Sequence, residues 1–127
     1  MANKINTFDI DGVIFLEEHD GIYPGPIDFI ITGRSYEETE ETLAMLERKG
    51  IKNKVFFNPE RFDDKSRVSS GQHKAKTIIA LMEMGYEHGV HFEDDEVQIA
   101  EIKKLIPEIR IVHVVSDLVN KENVRHK

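Results

Sequence analysis

Hydrophobic and polar positions along this chain switch between two periods, short extended runs giving way to amphipathic stretches. Residues 4–9 predict a first strand, although Asn6 and Thr7 make it less apolar than a fully buried central strand. Val13-Ile14-Phe15-Leu16 and Gly21-Ile22-Tyr23 flank the charged residues 17–20, the pattern of a β-hairpin flap within a 13–26 segment punctuated by glycine and proline. Residues 27–32 form a second apolar run that ends in Thr32-Gly33-Arg34. Ser35 with Glu38 is a capping box. It opens a helix whose stripe is Leu43 and Leu46, with Met45 or Ile51, and whose end is Arg48-Lys49 before Gly50. Residues 54–58 predict a third strand and 59–72 a long polar loop of mixed charge.

Ser69 with Gln72, or Ser70 with His73, then caps a second helix that stops at Gly85. A brief fourth strand at 90–92 delivers Glu93-Asp94-Asp95, and Ile99, Ile102 and Leu105 or Ile106 mark a third helix ended by Pro107. Residues 109–115, nearly continuous in β-branched residues, read as a buried fifth strand, and 116–127 as a short tail. Strands alternating with helices predict one α/β domain over 1–127. The expected fold is a three-layer α/β sandwich with a mainly parallel, Rossmann-like sheet of about five strands.

Composition narrows the function classes. With 39% hydrophobic and 32% charged residues the chain reads as a soluble globular protein, and without cysteine it has neither disulfides nor thiolate chemistry. Its apolar runs fall far short of the roughly 20 residues a membrane span needs, and Met1-Ala2-Asn3-Lys4 lacks a signal-peptide core, so cytoplasm is the expected location. A net charge of −7 and no basic stripe argue against non-specific duplex nucleic-acid binding.

The chemistry-bearing residues gather at predicted strand ends. Asp9 and Asp11 stand two apart, so an extended backbone turns both carboxylates to one side. Crowded like charges are costly unless a cation neutralises them or one carboxylate keeps a proton, and a hard ion such as Mg²⁺ takes oxygen ligands. Thr32-Gly33-Arg34 follows the second strand, Glu93-Asp94-Asp95 the fourth, and Lys74 and Lys76 lie near the start of the second helix. In open α/β sheets ligands bind beyond the carboxyl ends of the strands.

On these residues the chain resembles the haloacid dehalogenase (HAD) superfamily over about residues 4–115. The first motif is Phe8-Asp9-Ile10-Asp11-Gly12-Val13 and the second Phe29-Ile30-Ile31-Thr32 with Gly33-Arg34. The third is Lys74 in Gln72-His73-Lys74-Ala75-Lys76, with Lys76 as the alternative lysine. The fourth is Phe92-Glu93-Asp94-Asp95, in which Asp94 aligns best with the metal-binding acid, Asp95 is the alternative ligand or the N-cap of the third helix, and Glu93 is second to them.

The resemblance implies a Mg²⁺-dependent phosphomonoesterase acting through an aspartyl-phosphate. Asp9 is then the nucleophile and Asp11 the general acid and base. Thr32 donates to a phosphoryl oxygen, Lys74 neutralises charge, and Gly33 and Arg34 meet the substrate. The metal is held by Asp9, Asp11 through its backbone carbonyl, and Asp94 or Asp95. Because family members that dehalogenate lack the second aspartate, phosphoester hydrolysis is expected instead.

The spacing also departs from the family. Residues 12–27 leave no room for the usual helix or a cap domain before the second motif, which implies a capless, minimal version. That loss predicts a poorly covered face on the first strand, in keeping with Asn6 and Thr7, or a second copy of the chain covering it. The expected partner is a phosphorylated small molecule or an accessible phosphorylated end. Two alternatives stay open: a nucleotide or polynucleotide-end phosphatase using Lys65, Arg67, His73 and Lys76, and a non-catalytic binding or regulatory domain. The remaining histidines, His91 and His113 among them, read as satisfied or half-exposed strand residues and not as a zinc site.

Overall fold

The computed structural model describes residues 3–116. In chain order its elements are β1 (Lys4–Phe8), a hairpin of β2 (Phe15–Leu16) and β3 (His19–Asp20), β4 (Phe29–Ser35), α1 (Thr39–Arg48), β5 (Val55–Asn58), α2 (Arg67–Glu83), β6 (Glu87–Glu93), α3 (Glu96–Leu105) and β7 (Ile111–His113). Five strands form one sheet in the order β5-β4-β1-β6-β7, and every pairing in it is parallel. This is the expected three-layer α/β sandwich. The chain moves outward from β1 through β4 to β5, then returns across β1 to β6 and β7. Reversing direction with right-handed crossovers puts α1 on one face and α2 with α3 on the other.

Each face has its own apolar cluster. Phe8, Ile10, Ile30, Leu46 and Ile51 pack under α1, and Ile5, Ile31, Ile78 and Leu81 pack under α2. Phe8 and Phe92 stack across β1 and β6 with ring centroids 4.4 Å apart. Val13 and Ile14, at the foot of the hairpin, are fully buried in the α1-side cluster. Among the described residues nothing resembling a cap domain separates β1 from β4; the insertion there is the β2–β3 hairpin. The tail expected over 116–127 lies, beyond Ser116, outside the described residues.

Several local expectations change. The Ser35–Glu38 capping box is present, but it opens a 3₁₀ turn (Tyr36–Glu38) that leads into α1. On α1, Leu43 is exposed and Thr42 takes the buried place beside Leu46. The 59–72 loop is shorter than predicted, because α2 starts at Arg67 with Ser66 as N-cap. Ser66 accepts from the Ser69 N–H, and the Ser69 hydroxyl accepts from the Ser66 N–H, so serine fills the role usually held by glutamate or glutamine. β7 is a short edge strand with Val112 and His113 exposed, not a buried central one.

Asn6 and Thr7 do not mark an uncovered face. The β1–β6 register shifts between Ile5 and Thr7, and Asn6 patches the irregularity by accepting the Val90 N–H at 2.9 Å while its own N–H donates to Asp28. Thr7 is completely buried, and its partners lie within the chain. No helix among the described residues is long and apolar enough to cross a membrane.

Candidate functional site

The strand order reverses between β1 and β6, and the crevice at such a switch point is where open α/β sheets bind ligands. The carboxyl end of β1 brings Asp9 there and the end of β6 brings Glu93 and Asp94. Alternation along the two strands turns Thr7 and Asp9 toward α2, together with His91 and Glu93 of β6. From α2, Lys74 reaches in between them, fully buried although it is charged. Its Nζ lies 3.1 Å from Asp9 Oδ1 and donates to Glu93 Oε1 at 2.8 Å.

A polar chain backs this contact. Glu93 also pairs with His91 Nε2 at 2.9 Å. Because that carboxylate only accepts, His91 Nε2 is the donor and Nδ1 the acceptor. The Thr7 hydroxyl therefore donates to His91 Nδ1 at 2.8 Å and accepts from His88 Nε2 at 2.9 Å. Burial keeps both imidazoles neutral, pushing His91 down to about 3 and His88 to about 4.

Electrostatics divides the acids. Burial, reinforced by the Glu93 charge, pushes Asp9 up to about 8, with Lys74 opposing. Glu93 is raised as well, first by burial. Burial would lower Lys74, but Asp9 and Glu93 outweigh it and hold the ammonium charged. Asp11 behaves oppositely. Its side chain is 54% exposed, and Arg34 grips it through two hydrogen bonds, Nε to Oδ2 at 2.9 Å and Nη2 to Oδ1 at 2.8 Å. Desolvation would raise this carboxyl, but the Arg34 bonds and charge prevail and keep it below the usual carboxylate range.

Of the residues singled out in the sequence, Asp9, Asp11, Gly33, Arg34, Lys74, Asp94 and Asp95 line one cleft. Lys76 is exposed on α2 and takes no part in the lining, so Lys74 is the lysine that meets Asp9. Arg34 pairs with Asp11 and not with the glutamates that follow it in sequence. Asp95 is the N-cap of α3, accepting from the Val97 and Gln98 N–H groups, and Arg67 grips it with two more bonds. That occupies the carboxylate. Asp94 is the better placed acid of the two.

Thr32 is completely buried, accepts the Arg34 N–H, and is not among the cleft-lining residues. On that wall Ser70 stands instead, against Gly33 and within 3.3 Å of Asn58 Nδ2. Lys65 and Arg67 line the cleft, whereas His73 and Lys76 do not.

Oxygen atoms of Asp9, Glu93 and Asp94 lie within 4.8 Å of one another. Three crowded carboxylates are a donor set that suits a hard divalent cation, and such an ion would oppose the burial and the carboxylate repulsion that raise Asp9. Gly12 supports the arrangement: its φ is +85°, and a Cβ there would fall on the Asp94 carboxylate.

Sequence reasoning undervalued Glu93 and passed over Ser70 and Thr7. The available signal was alternation, with polar residues two apart on neighbouring strands, Thr7 and Asp9 against His91 and Glu93. Searches of protein-family models, curated proteins and solved structures found no match for this chain.

Proposed function

We propose that this chain is a phosphohydrolase of the HAD type, hydrolysing phosphate monoesters through an aspartyl-phosphate on Asp9. The observation that carries the reading is the buried Lys74 ammonium 3.1 Å from Asp9 at the switch point, with Asp11 and Asp94 on the same cleft. A phosphate monoester repels nucleophiles, so its hydrolysis depends on neutralising charge and on positioning.

Mg²⁺, held by Asp9 and Asp94 with the Asp11 carbonyl, would supply the neutralisation that keeps Asp9 ionised at neutral pH. Asp9 Oδ attacks phosphorus, the bond to the leaving oxygen breaks, and Asp11 gives that oxygen a proton. Water then attacks the phosphoryl group, Asp11 takes its proton, and the bond to Asp9 breaks. Lys74 offsets negative charge on the nucleophile throughout. In the resting chain Arg34 holds Asp11 ionised, so the acid step requires Arg34 to turn from Asp11 toward the phosphoryl oxygens. The Ser70 hydroxyl is better situated than Thr32 to donate to those oxygens.

The test is hydrolysis of para-nitrophenyl phosphate with and without Mg²⁺, wild type beside Asp9→Asn. Metal-dependent turnover that the substitution abolishes, with the unfolding midpoint held or raised, is the expected result. Substantial turnover by Asp9→Asn would refute the nucleophile assignment, and silence from both proteins would favour a binding domain.

A further inference from the structure

The cleft in front of Asp9 encloses about 750 Å³, room for a whole small-molecule ester and not only its phosphoryl group. Its walls differ in chemistry. Away from Asp9 and Lys74, the lining includes three apolar side chains: Phe15 from the hairpin, Met45 from α1 and Phe62 from the loop before α2. Phe62 is 58% exposed, so part of its ring is open to a molecule in the cleft. Its position is nevertheless built. The Phe62 N–H donates to Glu37 Oε1 at 2.8 Å, and Lys65 Nζ sits 5.0 Å from the ring centroid. Lys65 is itself fixed by the Gly33 carbonyl at 3.1 Å and by Glu38 at 3.0 Å.

The charges along the cleft point the same way. Among the described residues, seven carboxylates and four cations line it. Each of those cations is already paired: Arg34 with Asp11, Lys65 with Glu38, Arg67 with Asp95, and Lys74 with Asp9 and Glu93. Glu41 adds negative charge to the lining. Among the described residues, a polyanion entering here would meet no surplus of cations for its further phosphates, which is what nucleic-acid binding requires.

We infer that the substrate is a small, singly phosphorylated ester whose leaving group presents a flat apolar face to Phe15, Met45 and Phe62, and not a polyphosphate or a phosphorylated nucleic-acid end. This rests on the phosphohydrolase reading. A flat ring covers the exposed Phe62 face without bringing further charge, and ring-on-ring contact adds to simple burial.

Three probes that share one ester bond separate the contributions: ribose 5-phosphate, nucleoside 5′-monophosphates, and a 5′-phosphorylated oligonucleotide. With Mg²⁺ present, kcat/KM for a nucleoside monophosphate should exceed that for ribose 5-phosphate, chiefly through KM, and should also exceed that for the oligonucleotide. Phe62→Ala, at an exposed position that does not support the core, should reduce the monophosphate-to-ribose-phosphate ratio roughly 2- to 10-fold. Equal kcat/KM for the two small esters, no change of that ratio in Phe62→Ala, or preference for the oligonucleotide would each overturn the inference. Para-nitrophenyl phosphate turnover lost in Asp9→Asn would leave the phosphohydrolase reading standing in those cases. If no ester is hydrolysed, para-nitrophenyl phosphate included, both fall together.

Discussion

Replacing Lys74 by methionine tests the centre of the site without depending on any substrate. Methionine is flexible and of similar reach, so it fills the channel occupied by the lysine stem and leaves little cavity. What disappears is the ammonium between Asp9 and Glu93, which are 5% and 0% exposed. Removing one partner from a buried ion pair costs about 3–5 kcal/mol, because the remaining charge is left unsolvated and unpaired.

The two carboxylates can escape that cost by binding protons, which makes the loss depend on pH. Asp9 and Glu93 already titrate above their ordinary values, and without Lys74 they would be raised further. A raised carboxyl holds its proton in the fold while the unfolded chain releases it, so the penalty is absent below the unfolded pKa near 4 and grows as pH rises through the folded value. Urea unfolding followed by circular dichroism, in EDTA at pH 5 and pH 8.5, should therefore show a larger loss at the higher pH. Lys76→Met, on the exposed side of α2, should change stability by no more than about 0.5 kcal/mol. A Lys74→Met loss below about 1 kcal/mol at pH 7, or one equal at both pH values, would refute the buried-charge account.

Further outcomes follow from the same geometry. Gly12→Ala should cost about 1–3 kcal/mol from its left-handed backbone and, by displacing Asp94, should weaken any Mg²⁺-dependent stabilisation; unchanged melting and unchanged response to Mg²⁺ would count against the Gly12–Asp94 contact. Mg²⁺ at a hundredfold excess over its Kd should stabilise the wild type by about 2.7 kcal/mol, an effect that Asp94→Asn should reduce sharply in thermal melts and that Asp95→Asn should reduce far less. In EDTA, stability should peak near neutral pH. Burial lowers His73 and His88 to about 4 and His91 to about 3, so the unfolded chain gains protons first and stability falls as pH drops below the ordinary histidine value. Asp9, raised to about 8, opposes this rise from about pH 4 upward, and its loss becomes the net decline between the ordinary histidine value and about 8. A stability maximum below pH 5 would contradict the histidine assignments, and stability still rising from pH 7 to pH 8 would contradict that of Asp9.

Which features were legible depends on how far their causes extend along the chain. The Ser35–Glu38 capping box closes within four residues, and the hairpin flap, the Gly85 stop and the Asp95 cap are equally local. The start of α2 was misread because Ser66 uses Ser69 where a glutamate or glutamine is usual and the first turn carries no acid. Leu43 and Thr42 show a helical stripe rotated by one position, a shift that periodicity alone does not resolve. β7 has the composition of a buried strand but lies at the edge of the sheet, and composition does not encode a strand's rank in the sheet.

The candidate site divides along the same line. Asp9, Asp11, Lys74 and Asp94 could be picked from the sequence because strand ends and the α/β alternation place them at one edge of the sheet. Their ionisation could not. The Arg34 grip on Asp11, the Arg67 grip on Asp95, the burial of Glu93 against Lys74 and the removal of Thr32 from the cleft join residues 19 or more positions apart or depend on a rotamer.

Element order, fold class and the acids at the strand ends were thus determined by the sequence itself, since capping bonds and hydrophobic period act over a few residues. Tertiary structure decided which acid stays charged, which lysine meets Asp9, and that Thr7, His91 and Glu93 form one buried chain. The physical reason is that an ionic interaction depends on the distance between two groups and on the water excluded around them, and neither quantity exists until the strands and α2 have packed.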